Sequence, residues 1–90
     1  MDPQRVINQL SDLNPEAILL DNMEDALIGI GYIGPADPVA VYSKARIYSK
    51  LLELGLSQED ADEYYTVKFV APVAYAGAHA PVIVDDLQEA

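Results

Sequence analysis

Apolar residues recur at helical spacing at Val6, Ile7, Leu10 and Leu13, and predict a short amphipathic helix over residues 3–13. Asp2 suits its N-cap, Pro3 its first helical position, and Asn14-Pro15 ends it. The brief apolar run Ala17-Ile18-Leu19-Leu20 suits either a buried strand or part of a second helix, and periodicity does not separate the two. From 26 to 33 the pattern becomes an alternation. Ala26, Ile28, Ile30 and Tyr32 share one face of a strand, and Leu27, Gly29, Gly31 and Ile33 share the other. Two glycines on one face leave a shallow groove for a closely packed neighbour. Gly34 to Asp37 reads as a turn and Pro38 to Tyr42 as a returning strand, so a β-hairpin is predicted over residues 26–42.

The pattern then returns to helical spacing. Ser43 is placed to cap a helix over residues 44–54, with Ile47, Tyr48, Leu51, Leu52 and Leu54 as its buried stripe. Gly55 suits the left-handed position after its end. Ser57-Gln58-Glu59-Asp60 matches a capping box, with Leu56 and Ala61 as its hydrophobic staple. The helix so started turns Ala61, Tyr64 and Tyr65 inward and Glu59, Asp62 and Glu63 outward, and should stop before Pro72. Residues 66–76 are compatible with a helix end, a strand or both. A loop at 77–80 precedes a last short strand at 81–84, and residues 85–90 read as a frayed acidic tail.

Composition narrows the function classes. Ninety residues form one domain, 1–90, and 51% hydrophobic content supports a real core. No cysteine is present to staple it, which favours burial against a second copy. Fifteen acids against five bases give a net charge of −10. Such a field repels nucleic-acid backbones and anionic membrane surfaces, and favours basic protein partners. No apolar run approaches the roughly 18 residues of a membrane span, and residues 1–5 lack signal-peptide character. The expectation is a soluble cytoplasmic protein.

Candidate chemistry is sparse. Gly29-Ile30-Gly31-Tyr32-Ile33-Gly34 is a literal G-x-G-x-x-G, but Pro35 and Pro38 follow where a phosphate-binding helix would have to open. The block therefore reads as structural, and no cofactor is expected. The adjacent carboxylates Glu24/Asp25, Glu59/Asp60, Asp62/Glu63 and Asp85/Asp86 diverge on any regular element, so they read as solvated surface. His79 is the sole histidine and reads as an exposed loop residue; without cysteine it makes no zinc site or triad. No catalytic or metal-binding residue is assigned, and the chain is expected not to be an enzyme. Tyr48, Tyr64 and Tyr65 suit the margin of a small core. Lys44, Arg46 and Lys50 place three of the five basic residues on one helix, as a local positive ridge.

Several blocks occur in a recognisable order. They are Asp21, Glu24-Asp25-Ala26-Leu27-Ile28-Gly29-Ile30-Gly31, Val39-Ala40-Val41-Tyr42, Gly55-Leu56-Ser57-Gln58-Glu59-Asp60-Ala61, and Tyr75-Ala76-Gly77 with Pro81-Val82. Over residues 21–84 this order resembles a family of small bacteriophage and prophage proteins. These share an (E/D)-A-L-I-G-I-G block, a (V/I)-Y strand, a G-(M/L)-S-x-E-(E/D)-A helix start and a closing Gly-x-x-x-Pro. Here a proline-rich turn follows the glycine block, where that family often carries a charged residue. The resemblance implies a viral accessory protein that works by binding, in the host cytoplasm, and it carries over no catalytic or ligand residues.

The fold expected is α+β, a small antiparallel sheet of three or four strands packed on two or three helices. The leading function is non-enzymatic binding of another protein, with self-association, a dimer being favoured. An acidic DNA mimic that inhibits a host nuclease or defence complex is the alternative. Candidate protein-binding residues are Arg46, Lys50, Glu59, Asp62 and Glu63.

Overall fold

The computed structural model describes residues 2–20, 22–32, 37–74 and 77–85. Helix α1 spans Pro3–Leu13, with the Asp2 side chain accepting from the Gln4 amide and Val6 and Leu10 buried. Strands β1 (Leu27–Gly31) and β2 (Val39–Ser43) form the expected antiparallel hairpin, whose turn at 33–36 lies outside the described residues. Helix α2 (Lys44–Glu53) follows β2 directly, because the Ser43 hydroxyl accepts from the Arg46 amide and caps it. Gly55, at φ 100°, closes it. Helix α3 (Gln58–Tyr65) starts on Ser57, whose oxygen accepts from the Asp60 amide. Strand β3 is Val82–Val84.

The architecture is α+β with a three-stranded sheet in the order β1-β2-β3. The third strand corrects the orientation expected. β3 runs parallel to β2, so the sheet is mixed and not wholly antiparallel. The helical segment between them is long enough to carry the chain back to the starting end of β2, as a parallel pairing requires.

The strict alternation expected for β1 also fails. Leu27 pairs with Tyr42 and Gly29 with Val41, so Ile28 is an extra residue in a bulge. The bulge resets the pleat and puts Leu27 and Ile30 on the same face as Ala40, Tyr42 and Ile83. That face meets the helices in one core with Val6, Leu10, Ile47, Leu51, Ala61 and Phe69. Gly31 shares the opposite face with Val41, and a Cβ there would lie 2.8 Å from Val41 Cγ2.

Three further expectations change. Residues 17–20 form neither strand nor helix; they are held by single bonds, Ile18 N–H to the His79 carbonyl (3.0 Å) and Leu20 N–H to the Tyr42 hydroxyl (2.9 Å). Leu52 and Leu54 are 43% and 63% exposed and Tyr64 is 40% exposed, so the buried stripes of α2 and α3 are narrower than predicted. Pro72 does not end the helix. A π turn, Thr66–Val70, joins α3 to α4 (Ala71–Ala74), with the Ala71 amide bonded to the Thr66 carbonyl five residues back. A proline in α-helical register would clash with the carbonyl four residues earlier, and the wider turn changes that register. The same turn serves packing. Ala61, Tyr65, Phe69 and Val73 recur every four residues, a stripe that about 3.6 residues per turn would rotate away from the core.

Candidate functional site: an acidic helix face beside an apolar cleft

Helix α3 carries Glu59, Asp60, Asp62 and Glu63, all exposed, in its eight residues. Glu59 and Asp60 lie in its first turn, where free backbone amides favour negative charge. Glu59, Asp62 and Glu63 fall at i, i+3 and i+4 and therefore share a face. They are not equivalent. Asp62 is engaged within the chain, accepting from Gln58 Nε2 at 3.3 Å and pairing with the Tyr48 hydroxyl. Glu59 and Glu63 make no ion pair among the described residues.

Asp62 also belongs to an aromatic seam between α2 and α3. Tyr48 and Tyr65 pack with ring centroids 5.1 Å apart, and Lys44 Nζ sits 5.6 Å over the Tyr65 ring. Burial, then the hydrogen bond and charge of Asp62, push the Tyr48 hydroxyl up to about 12. The Tyr65 hydroxyl is also raised, by burial first and by the charge of Asp85 second.

The predicted basic ridge is divided by the fold. Lys44 turns to Tyr65, and Lys50 Nζ lies 3.5 Å from Asp25 Oδ2 on the turn before β1. Arg46 remains exposed. The structure therefore brings Glu59, Asp62 and Glu63 together on α3, while Arg46 and Lys50 stand on α2 with Lys50 committed to Asp25.

The feature that sequence reasoning missed is a cleft of ≈ 470 Å³ beside α3, lined by apolar side chains together with Asn22 and Lys68. One wall is the extended segment 18–20, and the other is built from Tyr64, Lys68, Phe69 and Val73 along the irregular helix; Leu51 and Leu54 close one end. Ile18, Leu19, Leu54 and Tyr64 line it while staying exposed, and Val67 joins them across a shallower hollow next to Tyr64 and Lys68. Five of the nine exposed large apolar side chains among the described residues thus adjoin one another, which distinguishes a patch from ordinary scatter. Among the described residues, Lys68 is the one charged residue in the cleft lining.

The far anchor of the cleft wall is His79. Its ring is two-thirds buried and corrects the exposed, incidental role read from the sequence. Asn14 Nδ2 donates to the Pro38 carbonyl (2.9 Å) and lies 3.2 Å from His79 Nδ1, while His79 Nε2 lies 3.2 Å from Glu16 Oε2. An Nε2–H tautomer satisfies both ring contacts, accepting from Asn14 and donating to Glu16. Because the His79 carbonyl holds Ile18, this cluster sets the position of the wall. Asn14 and His79 lie 65 residues apart in sequence, and no local pattern signals the contact.

No group of three or more metal-ligating side chains forms among the described residues, and no helix there is long and apolar enough to cross a membrane. Neither family models, curated proteins nor solved structures match this chain.

Proposed function

We propose that this is a non-enzymatic accessory protein of phage type that acts by binding another protein through the α3 face. The observation that carries the reading is the set of four exposed carboxylates on α3, of which Glu59 and Glu63 have no ion-pair partner among the described residues. Such a face selects a basic partner surface and speeds encounter with it. The resemblance of residues 21–84 to small phage proteins supports the same class and points to a bacterial target.

DNA mimicry is the second reading, favoured by the same carboxylates. Mimicry of a duplex calls for acids continuing beyond one helix in a phosphate-like array. The remaining described acids are spread over α1 and the segment after it, the turn before β1, the approach to β2, the end of α2 and the approach to the tail, which favours ordinary protein recognition.

The test is capture from bacterial lysate on immobilised protein, comparing wild type with the double variant Glu59→Gln, Glu63→Gln and identifying retained proteins by mass spectrometry. A specific target should be retained by wild type and fall by about tenfold on the variant, with binding weakened as salt rises from roughly 0.05 to 0.5 M. Identical retention by both proteins at both salt concentrations would refute a role for this face. Displacement of the target by duplex DNA would select mimicry.

A further inference from the structure

We propose that His79 is a pH-sensitive latch: its neutral ring holds segment 17–20 in place, and protonation at Nδ1 lets the segment go. The device is independent of the acidic α3 face, which contributes no residue to it. Its first part is an amide of fixed orientation. Asn14, 2% exposed, accepts at Oδ1 from the Glu16 amide (3.2 Å) and donates from Nδ2 to the buried Pro38 carbonyl (2.9 Å). Turning that amide over would set oxygen against the Pro38 oxygen and N–H against the Glu16 N–H. Nδ2 therefore presents its second hydrogen to His79 Nδ1, 3.2 Å away, and that nitrogen accepts only while it carries no proton.

The second part is a segment with few other restraints. Residues 17–20 belong to no helix or strand. The Ala17 amide donates to the Asn14 carbonyl, Ile18 to the His79 carbonyl and Leu20 to the Tyr42 hydroxyl. The Ile18 bond closes while the short turn Gly77–His79 is drawn up to Asn14, and the ring contact is what draws it there.

A proton taken from solvent onto Nδ1 sets donor against donor. The same proton makes the ring a cation beside Glu16, 3.2 Å from Nε2. That gain is small, because Glu16 is 77% exposed and the neutral ring already donates to it from Nε2–H. The loss falls on a buried amide that water does not reach, and it decides the outcome. Asp12 near the end of α1 and Asp37 before β2 are exposed, and among the described residues neither pairs with the ring. Asp85, after β3, acts on Tyr65 instead. An imidazole changes charge between about pH 5 and 8, where carboxylates and phenols ordinarily do not.

Nuclear magnetic resonance on the full chain from about pH 8 to about pH 5 tests the latch, reading the His79 ring nitrogens and amide exchange together. At the alkaline end the ring should be the Nε2–H tautomer. On acidification the protection factor of the Ile18 amide should fall about tenfold, in step with the ring, while Ile47 and Leu51 in α2 stay protected. Glu16→Gln should keep that fall, since the glutamine oxygen still accepts from Nε2–H. His79→Gln retains the backbone carbonyl but should leave Ile18 protection independent of pH. An Nδ1–H tautomer at the alkaline end would overturn the latch, as would a protonated ring with Ile18 protection unchanged or raised. So would a fall shared by Ile47 and Leu51, one abolished by Glu16→Gln, or one that survives in His79→Gln. Target capture through Glu59 and Glu63 stands or falls separately.

Discussion

Asn14 shows how much geometry one buried polar side chain can hold. Its backbone amide caps α1 on the Leu10 carbonyl, its Oδ1 accepts from the Glu16 amide, and its Nδ2 reaches both Pro38 and His79. Replacement by alanine leaves the Pro38 carbonyl without this donor, and an unpaired buried acceptor costs about 1–3 kcal/mol. Asn14→Ala should therefore lower the unfolding free energy measured in urea by that amount, and a loss below about 0.5 kcal/mol would contradict the assigned role. Tyr48 makes a different residue-scale statement, about pH. Its hydroxyl keeps its proton to about 12 in the folded chain, whereas an unfolded tyrosine releases it near 10. Above pH ~10 the unfolded state holds fewer protons, so this contribution is complete below pH ~10 and is lost as pH rises through about 12. Tyr48→Phe should flatten the alkaline decline in stability, leaving the smaller part due to Tyr65. An unchanged alkaline profile would remove Tyr48 from the explanation.

Elements divide by whether their cause is local. The caps at Asp2, Ser43 and Ser57 and the left-handed Gly55 were legible because each involves residues within a few positions of one another. The hairpin was legible from alternation flanking a turn. The bulge at Ile28 was not, because which residue is extra depends on the partner strand. The parallel β3 was not, because a three-residue strand carries no information about direction. Pro72 was read as a stop, and the π turn that admits it answers to the packing of Phe69 as well as to the proline. The acidic α3 face was readable from spacing, whereas the cleft depends on where Ile18 and Leu19 are pinned by His79 and Tyr42. The two sheet glycines permit a paired test. Gly31→Ala drives a Cβ to 2.8 Å from Val41 Cγ2 in a half-buried sheet and should cost about 1–3 kcal/mol. Gly29→Ala meets nothing within 4 Å at a φ that alanine tolerates, and should stabilise by about 0.4–1 kcal/mol. Equal effects in thermal melts would show that the strand register is wrong.

For the whole molecule, charge and apolar surface meet along one irregular helix, where Asp60 and Glu63 border the hollow that holds Tyr64 and Val67. Glu59 and Glu63 present charge to solvent, while Tyr64, Lys68, Phe69 and Val73 along the same chain segment build the cleft. The π turn keeps that second row aligned. The account thus assigns the acidic side to a target. Native mass spectrometry of the complex eluted from wild-type protein after lysate capture tests this most directly. The account predicts an intact target bound in fixed proportion to the 9.8 kDa chain. Recovery of the chain alone, with no protein retained in fixed proportion, would contradict it.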